Sequence, residues 1–302
     1  ARLKSEMKNL IIVTGGAGFV GSNLIRLLLK KTKKKIFSIH NYSTGSKKNH
    51  IKNSRVKYIS ANTSEIKKKL SKNIKKIHSV FHFGEFARIY QSFLQMNKCM
   101  ESNLVGTAEV LSFCLKHKIK LIYSATSASL GNRGKDKNLS PYSFSKSKNL
   151  EYLENLKKWF NFKYEVIFFY NVYGSGHIKK GRMATVIGIF EDYYSRNKAL
   201  PVVMPGTQTR RFTHIDDTVE ICFKAWKNNR NRFYSVLHKE SYSILQVAKM
   251  FNTKIKFLKA RRGERYSSSL TNMSLSNKVY KHFGKRKLPE YVKSFLKKNQ
   301  KN

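Results

Sequence analysis

The chain has 302 residues, of which 40% are hydrophobic and 13% aromatic, enough for one large domain or a core with a smaller lobe. Lys and Arg number 61 against 17 Asp and Glu, a formal net charge of +44; such a field attracts polyanions, but no basic stretch is interleaved with aromatics of the kind that stack bases. The charge therefore reads as lysine-rich solvated faces that favour an anionic small molecule over nucleic acid, and no apolar run approaches the roughly 18 residues of a membrane span.

Short β-branched runs alternate with amphipathic stretches through the first half, the pattern of a parallel sheet with covering helices. Asn9–Thr14 reads as a buried first strand and Ser22–Lys31 as the helix after it. Strands are predicted at Lys35–Ile39, Val56–Ser60 and Ser79–Phe83. Glu101–His117 is a predicted helix with Leu104, Ala108, Leu111 and Leu115 on one face. A strand at Lys120–Ser124, a helix at Leu150–Phe160 and a strand at Glu165–Phe169 follow. Beyond Gly174 the pattern becomes irregular, with Pro201, Pro205 and Gly206 marking loops. The expected fold class is α/β: a doubly wound parallel Rossmann sheet with a smaller C-terminal substrate-binding lobe. Residues 7–172 and a return segment at about 207–230 form the predicted core, and 173–206 with 231–302 form the lobe.

Between the first strand and its helix, Val13-Thr14-Gly15-Gly16-Ala17-Gly18-Phe19-Val20-Gly21 carries glycines at GxxGxxG spacing. Gly15 permits the tight turn, Gly18 lets backbone approach a pyrophosphate, and Gly21 lets helix pack on strand. The helix N-terminus then offers free N–H groups and a positive dipole end to phosphates. An acidic residue is expected at the end of the second strand, to bind the adenosine ribose. His40 stands there instead, in Ser38-Ile39-His40-Asn41-Tyr42-Ser43-Thr44-Gly45. A neutral imidazole can still bond a ribose hydroxyl, but the repulsion that rejects a 2′-phosphate is gone, so NAD is narrowly favoured over NADP.

Pro141-Tyr142-Ser143-Phe144-Ser145-Lys146 sets Tyr142 and Lys146 four residues apart, on one helix face. An ammonium near a phenol favours the ionised form, which suits Tyr142 to moving a hydroxyl proton while hydride passes to nicotinamide. Ser124-Ala125-Thr126-Ser127 follows a strand and supplies hydroxyls at the sheet's C-terminal edge, where α/β sites form.

These motifs, with VFHFGE, ESNLVGT, YSATSASLG, YNVYG and GTQTRRFTHIDD in the same order, make the chain similar to the extended short-chain dehydrogenases. Within them it resembles the NAD-dependent epimerase/dehydratase group of nucleotide-sugar enzymes, over Met7 to about Leu288. The resemblance implies Thr126, Tyr142 and Lys146 as the catalytic triad. It implies a cofactor site of Gly15, Gly18, Phe19, Val20, Gly21, His40, Asn41, Ser43, Thr44, Asn62, Thr63, Phe83, Gly84, Glu85 and Asn103, with Tyr142 and Lys146. Asn171 is similar to the family asparagine that touches the sugar nucleotide, and Arg210 and Arg261 to the arginines that grip its diphosphate, a task suited to a guanidinium fork. The chain departs from the pattern at His40, at Asn62 (usually an aspartate), at Glu85 (usually small), at Leu130 (often tyrosine) and at Arg211 (usually acidic).

The dehydratases of this family carry an Asp-Glu pair directly after the threonine; here Ser127 and Ala128 follow. The cysteine–histidine pair of the epimerase-reductases is not evident either. The resemblance then implies a nucleotide-sugar 4-epimerase acting on a UDP-hexose or UDP-N-acetylhexosamine through transient oxidation at C4. The alternatives are a reductase or decarboxylase of the same family, or a non-catalytic basic scaffold. Counting seven positions from Arg261, as the family pattern suggests, lands on Ser268, small enough to admit an N-acetyl group. The resemblance also implies a homodimer through the helices near Glu101–His117 and Tyr142–Phe160, the latter carrying Leu150, Leu153, Leu156, Trp159 and Phe160. Cys99, Cys114 and Cys222 lie far apart without metal-ligand spacing, which fits free thiols in a reducing cytoplasm. Met7 reads as the natural start, with no apolar signal segment near it.

Overall fold

The computed structural model describes residues 8–263 and 278–299. Six strands of the expected core form in turn: β1 (Leu10–Thr14), β2 (Lys35–His40), β3 (Val56–Ser60), β4 (Ile77–His82), β5 (Lys120–Thr126) and β6 (Tyr164–Phe169). Two more strands, β7 (Phe233–Leu237) and β8 (Val279–Phe283), extend the same sheet. The order is β8-β7-β6-β5-β4-β1-β2-β3 and every pairing is parallel. The direction of winding reverses between β1 and β4, which opens a crevice at the carboxyl ends of these strands.

Strand periodicity explains the layering. Leu10 and Ile12 of β1 join one buried cluster with Leu111, Leu121, Leu153 and Phe168, while Ile11 and Val13 join the other with Leu24, Ile25, Phe81 and Ile215. Alternate residues thus enter opposite apolar layers, and both faces are covered. Helices α1 (Phe19–Lys31), α2 (Thr107–Lys116), α3 (Pro141–Phe160) and α5 (Ile215–Asn228) supply the cover, and α4 (Val186–Ser195) belongs to the lobe. Two further lobe helices, α6 (Ile244–Met250) and α7 (Leu288–Asn299), pack with α4 around Phe190, Phe212, Phe251 and Leu288. The lobe also holds a parallel pair, Leu200–Val203 with Ile255–Leu258. No helix of the described residues is long and apolar enough to cross a membrane.

Three differences from the sequence reading have physical causes. Phe233–Leu237 and Val279–Phe283 fall in the stretch 231–302 expected in the lobe, yet they are edge-side strands of the core sheet. All five residues of β7 are buried, the behaviour of a strand covered on both faces rather than of a lobe segment. The predicted helix Glu101–His117 is divided: Glu101–Gly106 winds in a wider π turn before the α-helical Thr107–Lys116. Gly106 lies against Thr63, where a Cβ would come within 2.3 Å of Oγ1. Finally, the helix face carrying Tyr142 and Lys146 and the helical stretch Leu150–Phe160 are one continuous α3, begun at Pro141 because Ser140 accepts the Ser143 N–H at 3.0 Å and Pro141 opens the helix.

Candidate active site

The glycine turn behaves as its spacing requires. Gly15 has φ +75°, and a Cβ there would stand 2.7 Å from the Phe83 carbonyl oxygen; one on Gly21 would stand 2.3 Å from that of Gly15. β1, β4 and α1 can therefore converge only on glycine. Gly18 caps α1 in an extended conformation, no side chain bonds the first-turn amides, and no acidic residue sits in that turn. Those N–H groups, with Phe19 and Val20 at the helix start, fit a dinucleotide pyrophosphate.

His40 is bonded within its own loop. Burial lowers its pKa, and its Nε2 lies 2.6 Å from the Thr44 carbonyl oxygen, so the neutral ring donates there. The imidazole shapes the loop carrying Ser43 and Thr44. Asn41 and Asn62 meet at the ends of β2 and β3, Nδ2 to Oδ1 at 2.9 Å, and Asn41 Oδ1 accepts Ser43 N–H and O–H. Asn62 and Thr63 open a short turn in which Asn62 N–H is capped by Glu65 at 2.9 Å. Phe83 packs edge-on against Phe81 and Phe169. The Asn103 amide is engaged within the protein: Oδ1 accepts Phe86 N–H at 2.7 Å, while Nδ2 donates to Phe86 O at 3.2 Å and Ser145 Oγ at 3.0 Å. It anchors the loop after β4 to α3.

Thr126 ends β5, and its Oγ1 accepts the Ala128 N–H at 3.2 Å. Tyr142 stands in the first turn of α3, its N–H bonded to Ser92 Oγ at 3.2 Å. One turn on, Lys146 is buried, and its Nζ bonds Glu85 and the Ser124 carbonyl oxygen, 4.6 Å from the Tyr123 ring centroid. The ammonium expected beside the Tyr142 phenol thus has a carboxylate of its own. Arg88, which sequence reasoning missed, interacts electrostatically with Tyr142. Its Nε donates to Met183 O at 2.9 Å, and its φ of +137° is strained for a side-chain-bearing residue.

Asn171, Arg210 and Arg261 line one cavity of about 530 Å³, together with Lys179, Lys180, Asp192, Arg196 and Gln208. Asp192 pairs with Lys180 at 3.5 Å and with Arg196, and Lys179 pairs with Glu191 at 2.8 Å; the lining is cationic on balance, and its guanidinium groups suit a diphosphate. Asn171 donates to Arg211 O at 3.1 Å, and Arg261 lies over the Tyr90 ring at 5.2 Å. Arg211 reaches away, to the His238 carbonyl oxygen at 2.8 Å. Ser268 lies outside the described residues. Among those residues, no cluster of His, Cys, Asp or Glu could hold a metal.

The family model for NAD dependent epimerases and dehydratases matches residues 11–236, three quarters of the chain. The chain belongs to this family. This family member is 28% identical over 231 residues to a Methanocaldococcus jannaschii protein provisionally named UDP-glucose 4-epimerase, covering 72% of this chain and 74% of that one. It is 28% identical over 255 residues to the ADP-L-glycero-D-manno-heptose-6-epimerase of Brachyspira hyodysenteriae, covering 80% and 79%. Its fold matches that of the Thermotoga maritima UDP-glucose 4-epimerase solved with UDP-glucose, with a TM-score of 0.83 at 22% identity over 97% of this chain and all of the other. NAD is the cofactor of this epimerase/dehydratase, and the uncapped amides of α1 beside the glycine turn fit it.

Sequence reasoning also missed the buried ring of Thr14, His82, Thr107, Tyr123 and Asn149 around Glu85. Two signals were present: a carboxylate three residues after an apolar strand, and Asn149 three residues beyond Lys146, on the same helix face.

Proposed function

We propose that the protein is a nucleotide-sugar 4-epimerase acting on a UDP-hexose or UDP-N-acetylhexosamine. The observation that carries this reading is that Thr126, Tyr142 and Lys146 come from the end of β5 and the start of α3, beside the crevice where the sheet's winding reverses. The cationic cavity lined by Asn171, Arg210 and Arg261 supports an anionic, diphosphate-bearing substrate. Tyr142 takes the proton of the sugar C4 hydroxyl and returns it after the ring has turned. Thr126 Oγ1 relays that proton, and Lys146 fixes the electrostatics of the tyrosine's helix face. NAD, when bound, supplies the hydride acceptor and donor. Ser127 and Ala128, placed where the elimination acids of the dehydratases stand, leave re-reduction as the outcome. Replacing Tyr142 by phenylalanine should lower the epimerisation rate by roughly 10²–10⁴-fold; full activity in that variant would sink the mechanism.

A homodimer accompanies this reading. Leu150, Leu153 and Leu156 of α3 are buried within the subunit, but Trp159 and Phe160 are 63% and 60% exposed and pack edge-on to each other. Val105, on the preceding π turn, is 55% exposed. These are apolar surfaces that a second copy would cover. The three cysteines are free and buried, which supports a cytoplasmic location.

A further inference from the structure

Glu85 is the centre of a buried polar cluster, and the epimerase reading gives its carboxylate no step in the chemistry. Its Oε1 accepts from Thr107 Oγ1 at 2.8 Å, Tyr123 OH at 3.0 Å and Asn149 Nδ2 at 2.9 Å, and its Oε2 pairs with Lys146. The side chains of the pair are 3% and 5% exposed. We propose that Glu85 is a positioning residue: it holds the Lys146 ammonium on its carboxylate and so limits how strongly that charge promotes loss of the Tyr142 proton. This rests on the reading of Tyr142 as the acid/base.

The hydrogen bonds fix which species stands at each place. Thr107 donates to Glu85, so its oxygen accepts from His82 Nε2, 2.8 Å away. His82 Nδ1, 2.7 Å from Thr14 Oγ1, then accepts that hydroxyl, whose oxygen takes the N–H groups of Phe83 and Gly84 at 3.0 Å each. A ring carrying one proton is what burial dictates, since it lowers the His82 pKa to about 4. The chain thus runs from the glycine turn to the lysine with each donor facing an acceptor, and it ends on a group that only accepts. An ionised carboxylate meets that requirement; a glutamine would turn an NH₂ toward either Lys146 or the three donors.

Few other charges compete. The titratable groups facing the pair are His82 from β4, Cys99 from the Met96–Met100 turn and Tyr123 from β5. Burial keeps all three neutral, raising Cys99 to about 11 and Tyr123 well above its usual range. Arg88 interacts electrostatically with Tyr142. Lys146 thus stands one helical turn from Tyr142 with its charge held on Glu85, where the i, i+4 spacing alone would give the tyrosine a free lysine charge. A free opposite charge within about 4–6 Å favours an ionised group by one to three pH units.

The test uses Glu85→Gln and Glu85→Ala, each with and without Tyr142→Phe, titrated by tyrosinate difference absorbance without substrate. The component that Tyr142→Phe removes should titrate about one pH unit lower in the Glu85 variants, roughly tenfold more tyrosinate at a fixed pH. The acid limb of the kcat/KM profile should move the same way. Should these variants fail to fold, Glu85→Asp keeps the charge but draws it back from Lys146, and a smaller shift in the same direction is expected. An unmoved Tyr142 component in any folded variant overturns the proposal while leaving the catalytic role of Tyr142 standing. Full activity of Tyr142→Phe would instead overturn the epimerase mechanism itself.

Discussion

Acid should loosen this fold through His82. The ring is fully buried on β4, donates to Thr107, accepts from Thr14, and burial depresses its pKa from 6.5 to about 4. In the unfolded chain the imidazole binds a proton at the higher value; in the folded chain it resists until the lower one. The stability that neutral His82 contributes is thus complete above pH 6.5 and is lost as pH falls from there to about 4. The depression corresponds to on the order of 3 kcal/mol. The assay is urea denaturation at closely spaced pH values for wild type and His82→Gln, whose amide does not titrate. At neutral pH the variant should be less stable by about 1–3 kcal/mol for its disturbed hydrogen bonds. On acidification the two stabilities should converge, because only the wild type pays the protonation penalty. Parallel curves across this window would refute the reasoning, since carboxylates common to both proteins would then carry the whole acid sensitivity.

Arg210→Ala and Arg261→Ala should each raise KM for the nucleotide sugar by about tenfold or more while moving kcat far less, as expected for lost diphosphate contacts that act alike in ground and transition states; equal losses in kcat would place these residues in the chemistry instead. Ser268→Tyr should cost roughly 10–100-fold in preference for N-acetylhexosamine over hexose nucleotides, and an unchanged ratio would remove Ser268 from the sugar pocket. Trp159→Lys with Phe160→Lys should give a monomer by sedimentation at micromolar concentration where the wild type sediments as a dimer; a wild type already monomeric would end the dimer reading.

The parallel sheet was legible because its strands announce themselves locally. Val56–Ser60 forms with the bounds its β-branched run suggests, and β1 differs by one residue. Strands β7 and β8 were less legible: they follow the irregular lobe segments, and periodicity marks a strand without saying which sheet it joins. The π turn over Glu101–Gly106 carries a helix-period sequence, and tertiary contacts decide its pitch: Gly106 against Thr63, Asn103 against Phe86 and Ser145. The candidate site shows the same division. Tyr142 and Lys146 share a helix face by arithmetic alone. That Lys146 turns to Glu85 depends on chain 61 positions apart in sequence being brought together by the sheet, which no local pattern encodes. His40 likewise signalled a missing carboxylate, but its bond to Thr44 is a property of the folded loop.

The central claim is epimerisation at C4, and the most direct test is a proton NMR time course of purified protein with NAD and a single UDP-hexose or UDP-N-acetylhexosamine, followed in parallel by nicotinamide absorbance. The account predicts that the anomeric signal of the 4-epimer grows to the same equilibrium ratio from either starting epimer, with no net accumulation of reduced cofactor. Stoichiometric reduced cofactor alongside an oxidised sugar, or a product altered elsewhere than at C4, would contradict it.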